Sequence, residues 1–217
     1  MTQSLTIYFA GELFSLKHLT GNAILADAIT TLSNKRFTCV VPQNLELREA
    51  TPVAIRDQDL LHVVSCDLGL FNFDGPELDS GTVVEFLVAK MLDIPSVIVR
   101  SDFRNAGDAH EFPWNLMLIE YPRTKVILRN SMAHYQSELA QNGGFPVEAA
   151  IRANNNLAQE IITAFDEVIA IPPALTSELR PSVYEWMRHF AGESFANLLK
   201  RETLAEILKS KVSRGLL

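Results

Sequence analysis

Short apolar runs alternate with longer amphipathic stretches through the first hundred residues of the chain. Four of the runs are rich in β-branched and aromatic residues and are predicted strands: LTIYFAG (5–11), FTCVVP (37–42), LGLFNF (68–73) and PSVIVR (95–100). Three intervening stretches are predicted helices: 17–34, 53–65 and 79–93. This alternation predicts an α/β fold, a doubly wound parallel sheet of the flavodoxin or Rossmann type with helices on both faces.

The pattern changes beyond residue 100. Residues 101–115 are predicted to form a loop. LMLIEY (116–121) and TKVILR (124–129) follow it and are predicted to be strands or sheet-edge segments.

The last third of the chain has helical periodicity. IPPAL (171–175) interrupts this periodicity, and residues 182–212 are predicted to form one or two further helices. The Gly143–Gly144 pair marks the junction with the preceding part. The prediction divides the chain there into an α/β domain, 1–145, and a helical C-terminal extension, 146–217, packed on the core or at an interface.

Composition and charge narrow the possible partners. The 217 residues are 47% hydrophobic and 21% charged, which is enough for a substantial core. A net charge of −7 without a basic cluster argues against binding a nucleic-acid polymer. The apolar runs are too short to span a membrane, and residues 1–10 lack the basic start and apolar core of a signal peptide. We therefore expect a soluble, cytoplasmic protein with small neutral or cationic ligands.

The sequence offers few reactive groups. Cys39 and Cys66 lie in or beside apolar segments, so they are predicted to be buried free thiols. The five histidines are scattered without metal-ligand spacing, so we expect no metal. Phosphate-binding glycine motifs and a G-x-S-x-G elbow are absent from the sequence. By elimination, the candidate chemistry rests on carboxylates and a tyrosine.

Glu85 is the most unusual carboxylate. It lies in LDSGTVVEFLVAKML (78–92), between apolar neighbours, and Lys90 is five residues away rather than the three or four that allow an ion pair. Because a carboxylate is costly to bury without a partner, this position favours a functional role over a solvated one. Asp79 suits the N-cap of the same helix, Gly81 permits its tight entry, and a functional role for Asp79 stays equally open.

Two further residues have a structural and a functional interpretation. Tyr8 lies towards the carboxyl end of the first predicted strand, where a tyrosine is usually a packed core residue. Ligands of doubly wound sheets bind beyond the carboxyl ends of the strands, so the same position also suits an active-site hydroxyl. Asp59 lies on a predicted helix, and nothing in its local sequence distinguishes it from a solvated residue.

Four segments, in this order, resemble the nucleoside 2-deoxyribosyltransferase family: IYFAGELF (7–14), RDQDLLHVVSCDLGLFNF (56–73), LDSGTVVEF (78–86) and PWNLML (113–118). The resemblance covers roughly residues 5–130. It implies that Glu85 is the nucleophile, that the Tyr8 hydroxyl orients it, and that Asp79 binds the deoxyribose hydroxyls. The glycines of these motifs, Gly11 and Gly81, are expected beside the substrate.

The resemblance also implies two roles nearer the edges of the site. Asp59 is expected to face the base as proton donor, although Asp57 and Asp67 lie close by in sequence. Asn115 is expected to reach the 5′ end of the sugar in a neighbouring subunit, which implies a homo-oligomer with shared active sites. The family members compared end soon after this asparagine, so the helical extension is a departure from the family pattern.

The implied reaction exchanges the base of a 2′-deoxyribonucleoside through a covalent deoxyribosyl–glutamate intermediate and needs no cofactor. Its partners are deoxynucleosides and free nucleobases. One alternative is a hydrolase of deoxynucleoside 5′-monophosphates, for which Ser80, Arg100 and Arg104 are candidate phosphate ligands. Another is a non-catalytic nucleotide-sensing module. The choice of base is expected to depend on the turns at 11–16 and 42–52.

Overall fold

Five parallel strands form a single sheet in the computed structural model, which describes residues 4–45, 51–102, 115–141 and 143–217. The strands are β1 (Leu5–Ala10), β2 (Phe37–Val40), β3 (Leu68–Asn72), β4 (Ser96–Arg100) and β5 (Thr124–Leu128). Their order is β2-β1-β3-β4-β5, so the connections reverse direction between β1 and β3. The four predicted strands are confirmed, and TKVILR supplies the fifth.

Eight helices follow or join the strands within the described residues: α1 (Leu16–Leu32), α2 (Pro52–Ser65), α3 (Ser80–Met91), α4 (Ser131–Gln141), α5 (Pro146–Ala170), α6 (Arg180–Phe190), α7 (Glu193–Leu198) and α8 (Arg201–Ser213). The first three begin at side-chain caps supplied by Ser15, Thr51 and Asp79, each of which accepts a backbone N–H of the first turn. This is the predicted doubly wound α/β fold with a C-terminal helical region.

Alternating residues of each strand supply two separate cores. On β1, Ile7 and Phe9 point to the face covered by α1 and α5, whereas Tyr8 and Ala10 point to the opposite face. That opposite face is covered by α2 and α3 and, beyond them, by residues of α6, α7 and α8 such as Tyr184. We call these the α1/α5 face and the α2/α3 face.

The predicted strand at LMLIEY is wrong. Leu116–Leu118 is a short 3-10 helix in which Leu118 is buried while Leu116 and Met117 are exposed. Glu120 then takes a left-handed conformation with φ of 60°, which an extended segment does not allow. Apolar composition alone therefore did not distinguish a capped turn from a strand.

The helical region differs from its prediction in detail. α4, with the sequence SMAHYQSELAQ, was not predicted, and none of its residues is buried in the structure. The region predicted as one or two helices contains three, since Gly192 separates α6 from α7 with φ of 95° and Lys200 is extended before α8. The predicted boundary at residue 145 falls just before α5, which packs on the sheet beside α1. The division of the chain into an α/β domain and a helical extension stays a prediction.

Two smaller expectations concern the thiols and the membrane. Cys39 and Cys66 are both free, as predicted, but Cys39 is half-buried and Cys66 alone is fully buried. Burial raises the pKa of Cys39 to about 12 and that of Cys66 to about 11. Among the helices of the described ranges, none has both the length and the hydropathy that a bilayer crossing requires.

Candidate active site

A hydrogen bond joins β1 to α3 on the α2/α3 face. The Tyr8 hydroxyl donates to Glu85 Oε1 at 2.6 Å, so two residues 77 positions apart in the chain form one polar pair. Tyr8 is buried among the aromatic residues of this core, and Glu85 lies in the second turn of α3. The two residues that the sequence singled out from separate elements are therefore in direct contact.

Burial dominates the electrostatics of this pair. It raises the pKa of Glu85 to about 8, the hydrogen bond from Tyr8 acts in the opposite direction, and the charges of Asp59 and Asp79 raise the pKa further. Glu85 is the sixth residue of α3, beyond the first turn in which the helix dipole would lower its pKa. Burial and the neighbouring carboxylates also place the pKa of Tyr8 well above its ordinary value. Tyr8 therefore keeps its proton and acts as the donor.

The surroundings of Glu85 differ from the sequence expectation in one respect. Val84 and Leu87, its apolar neighbours, lie on the outer side of α3 with exposed fractions of 46% and 37%. The helix therefore has a solvent-accessible side, and that side is apolar. Glu85 itself is half-buried, with its carboxylate turned towards Tyr8.

Asp79 caps α3, as one of its two interpretations predicted. Its Oδ2 accepts the Thr82 backbone N–H at 2.7 Å and the Thr82 hydroxyl at 2.8 Å. A side chain at Gly81 would place its Cβ 3.2 Å from the same oxygen, so glycine leaves room for the cap. The charge of Asp79 is close enough to raise the pKa of Glu85. Its role towards a sugar stays a prediction.

Asp59 belongs to the same electrostatic group. It is half-buried on α2, and its charge raises the pKa of both Glu85 and Tyr8. The two alternatives are engaged elsewhere. Asp57 is buried against Arg56, and Asp67 is buried between Thr6 and Arg214. Asp59 is thus the carboxylate of the three that neighbours the pair.

Gly11 and Asn115 have local structural explanations. A Cβ at Gly11 would lie 3.1 Å from Asn72 Cβ, so glycine lets the turn after β1 pack closely against the end of β3. Asn115 Oδ1 accepts the Met117 N–H at 2.8 Å and thereby caps the short 3-10 helix. A cap within its own chain is the structural alternative to a role of Asn115 in a neighbouring subunit. The role in a neighbouring subunit stays a prediction.

The candidate phosphate ligands are not gathered into a pocket by the described residues. Arg100 is buried and donates to the carbonyl oxygens of Phe73 at 2.6 Å and Gly75 at 3.3 Å, so it supports the turn after β3. Ser80 is exposed at the first position of α3. Arg104 lies outside the described residues, as do residues 46–50, which form part of the segment expected to select the base.

Asp74 was missed by sequence reasoning. Its carboxylate accepts the Ser101 hydroxyl at 2.7 Å and the Asp102 backbone N–H at 2.9 Å, which joins the turns after β3 and β4. An acidic residue directly after a buried strand was the available signal. Asp74 also lines a polar cavity of about 750 Å³ on the α1/α5 face, to which neither Tyr8 nor Glu85 contributes. Among the described residues, no His, Cys, Asp and Glu side chains cluster in a way that suits a metal ion.

The fold and the pair together define a class: a doubly wound α/β protein with a half-buried carboxylate, hydrogen-bonded by a tyrosine, towards the carboxyl end of the sheet. The sequence profile of one family, Nucleoside 2-deoxyribosyltransferase, matches residues 7–117, about half of the chain. The chain belongs to this family. It is a nucleoside 2-deoxyribosyltransferase-like enzyme of the glycosyl-transfer type.

Similar structures include a conserved protein from Enterococcus faecalis V583, with 22% identity over 76% of this chain and 99% of that one, and a TM-score of 0.48. The 2-desoxiribosyltransferase from Leishmania mexicana has 20% identity over 64% and 98%, with a TM-score of 0.46. The 2-deoxyribosyltransferase from Bacillus psychrosaccharolyticus has 20% identity over 54% and 81%, with a TM-score of 0.41. No curated protein sequence matches the chain.

Proposed function

We propose that the protein exchanges the base of a 2′-deoxyribonucleoside for another purine or pyrimidine base through a covalent deoxyribosyl ester of Glu85. The observation that carries this proposal is the 2.6 Å hydrogen bond to Glu85 from Tyr8, which lies in an aromatic core. A carboxylate held in this way has few structural uses, because its burial raises its pKa to about 8 and costs stability. Family membership supports the same chemistry.

In the first half-reaction, Glu85 attacks C1′ as the C1′–N bond breaks and the bonding electrons leave with the base. Positive charge develops on C1′ and the ring oxygen, and the adjacent carboxylate stabilises it before the ester forms. Tyr8 holds one carboxylate oxygen, which leaves the other to approach the sugar. A 2′-deoxy sugar forms this cation readily because it lacks the electron-withdrawing 2′-hydroxyl.

The departing base needs a proton, which we assign to the carboxylic acid of Asp59. Asp59 is close enough for its charge to act on both Glu85 and Tyr8, so it is the candidate acid beside the reacting carboxylate. In the second half-reaction an incoming base attacks C1′, Glu85 leaves, and Asp59 takes up the proton of the new base. In this proposal Asp79 and the motif glycines, Gly11 and Gly81, line the sugar-binding part of the site.

A donor–acceptor experiment tests the function. The protein is incubated with deoxyinosine and free adenine, and the products are separated by chromatography. The proposal expects deoxyadenosine and hypoxanthine. Free deoxyribose without deoxyadenosine would instead indicate a hydrolase, and the experiment is repeated with deoxyinosine 5′-monophosphate as the donor to test this alternative. No turnover of either donor would indicate the sensing module. Equal kcat/KM for deoxyinosine and inosine would contradict the assigned preference for deoxyribose.

The covalent step has its own test. A 2′-fluorinated deoxynucleoside forms the ester and releases it slowly, so it should trap the intermediate. Mass spectrometry of the digested protein should then find the sugar on the peptide that contains Glu85. A label on any other residue would overturn the assignment of the nucleophile.

We also propose that Asn115 contributes to the site of a neighbouring subunit in a homo-oligomer. Its amide both donates and accepts, which suits a sugar hydroxyl. Glu85→Ala and Asn115→Ala proteins should each be nearly inactive, and co-refolding them should restore part of the activity at mixed interfaces. If mass measurements show subunit exchange without any recovered activity, each site lies within one chain and Asn115 only caps its own turn.

A further inference from the structure

The C-terminal helices hold α2 at both of its ends. Near its beginning, Arg56 bonds to the buried Asp57 and donates to the carbonyl oxygen of Ala191 at 2.8 Å, at the end of α6. At its other end, the buried amine of Lys211 donates to the carbonyl oxygen of Cys66, the C-cap of α2. α7 also packs against α2. Asp59 lies on the held segment.

A second set of contacts ties the end of α2 to β1. Arg214 forms a two-pronged ion pair with Asp67, the residue before β3. The same carboxylate accepts the Thr6 backbone N–H at 2.8 Å and the Thr6 hydroxyl at 3.0 Å. Thr6 is two residues before Tyr8 on the same strand. Asp67 therefore joins α8 to the strand that carries the tyrosine of the polar pair.

The C-terminal helices also hold the end of α3, which carries Glu85. The Tyr184 hydroxyl donates to the carbonyl oxygen of Leu92, the C-cap of α3, at 3.1 Å. Asp93 accepts the Leu175 backbone N–H at 2.9 Å, in the segment that leads to α6. Tyr184 is fully buried within the core of the α2/α3 face. The extension thus contacts the helices of both acidic groups.

We propose that α6, α7 and α8 form a brace that sets the position of Asp59 relative to Glu85, with Lys211 and Arg214 as its positioning residues. The reason is geometric, because α2 and α3 join the sheet through turns and the extension bonds to both helices. This inference rests on the proposed function, in which Asp59 donates a proton to the leaving base. Proton donation requires the acid within hydrogen-bond reach of the base, so a displaced α2 would slow this step selectively.

Two donor substrates separate this effect from a general loss of structure. The base of deoxyinosine leaves with a proton from the acid. The base of 7-methyl-2′-deoxyguanosine is already positively charged, so it leaves without one. Asp59→Asn provides the reference pattern, a large loss of kcat with the first donor and a small loss with the second. A merely structural defect would slow both donors equally.

The test variants are Lys211→Met and Arg214→Gln, with Arg201→Gln as the matched control. Arg201 pairs with Glu185 inside the extension and is exposed, so it makes the same type of contact without holding α2. For each test variant we expect kcat with deoxyinosine to fall about tenfold and kcat with 7-methyl-2′-deoxyguanosine to fall less than about twofold. The control should change neither by more than about twofold.

Hydrogen–deuterium exchange gives a readout that is independent of activity. Amides of α2 should exchange faster in the test variants, while those of α1 on the opposite face should keep their protection. Equal losses with both donors, or unchanged exchange in α2, would overturn the proposal. If one variant fails to fold, the other decides. If the wild-type protein turns over neither donor, the proposed function fails by itself, and exchange in α2 still decides whether the brace exists.

Discussion

The two faces of the sheet are built from the same strands but bury different chemistry. On the α1/α5 face, Ile7 and Phe9 of β1 meet an apolar core that includes Phe165 of α5. On the α2/α3 face, Tyr8 of the same strand bonds to Glu85 instead. One strand therefore contributes packing to one side and a polar pair to the other, because successive side chains alternate between faces.

The difference shows on which face of the sheet a functional carboxylate lowers the stability of the fold. Burial of a carboxylate is unfavourable, and the raised pKa of Glu85, about 8, expresses that cost. The described core of the α1/α5 face contains no carboxylate, so its packing stabilises the fold without this electrostatic cost. We expect substitutions on the two faces to separate accordingly, into effects on turnover and effects on folding.

Glu85→Gln should have the largest effect. It keeps the shape of the side chain but removes the attacking charge, so turnover of deoxyinosine should fall by at least about a thousandfold. Circular dichroism should show an unchanged fold. Glu167→Gln on α5 is the control, because Glu167 is half exposed and pairs with Lys125 at the surface. Activity near the wild-type level in Glu85→Gln would remove the functional distinction between the faces.

Phe165→Ala should give the complementary result. Phe165 is fully buried and contacts the Phe37 ring at a centroid distance of 5.6 Å, so its removal leaves a cavity. The free energy of unfolding in urea should fall by about 3–5 kcal/mol. At a temperature where the variant remains folded, kcat should stay within about twofold of the wild-type value, because Phe165 belongs to the α1/α5 core, apart from the core that contains Tyr8. A loss of kcat comparable to that of Glu85→Gln would show that the faces are coupled.

Tyr8→Phe should have an intermediate effect. The hydrogen bond to a charged acceptor is lost, so kcat/KM at neutral pH should fall by about 10- to 100-fold. Because the Tyr8 bond lowers the pKa of Glu85, its loss should also move the midpoint of the kcat/KM–pH profile upward from its wild-type position near pH 8. A downward or unchanged midpoint would show that Tyr8 does not control the ionisation of Glu85.

The last prediction is a pH-dependent difference in stability. The folded-state pKa of Glu85, about 8, exceeds its ordinary value of 4.5, so between these values the folded state binds more protons than the unfolded state. Wild-type stability contributed by this group is therefore present below pH 4.5 and lost as pH rises through about 8. Glu85→Gln should raise Tm at pH 9 and leave it unchanged near pH 4. A larger increase in Tm at pH 4 than at pH 9 would contradict the cost assigned to burying the charged carboxylate.

Local pattern predicted the parts of the molecule that depend on local physics. The strand at β1 and the cap at Asp79 were visible in the sequence, and both occur as predicted. The contact between Tyr8 and Glu85 could be expected only through the rule that ligands bind at the carboxyl ends of strands and through the family resemblance. The prediction of a strand at LMLIEY was wrong because apolar content does not reveal a residue in the left-handed conformation, such as Glu120.

The roles that could not be predicted from the sequence depend on contacts between residues far apart in the chain. Asp67 was one of three aspartates considered for a single role, and its partner Arg214 lies 147 residues away. Arg100 resembled a phosphate ligand but is buried against the turn after β3. In both cases the deciding contact joins separate elements of the fold, so no local pattern could predict it.

The two free thiols lie on opposite sides of the sheet. Cys66 belongs to the core of the α2/α3 face, and Cys39 of β2 packs against that of the α1/α5 face. Burial raises the pKa of both, so at neutral pH neither is a thiolate. An alkylating reagent reaches the buried Cys66 only when the α2/α3 face opens, whereas the half-buried Cys39 is partly accessible in the folded protein. The alkylation rate of Cys66, followed by peptide mapping with Cys39 as the internal reference, would therefore report the opening of the α2/α3 face without any introduced probe.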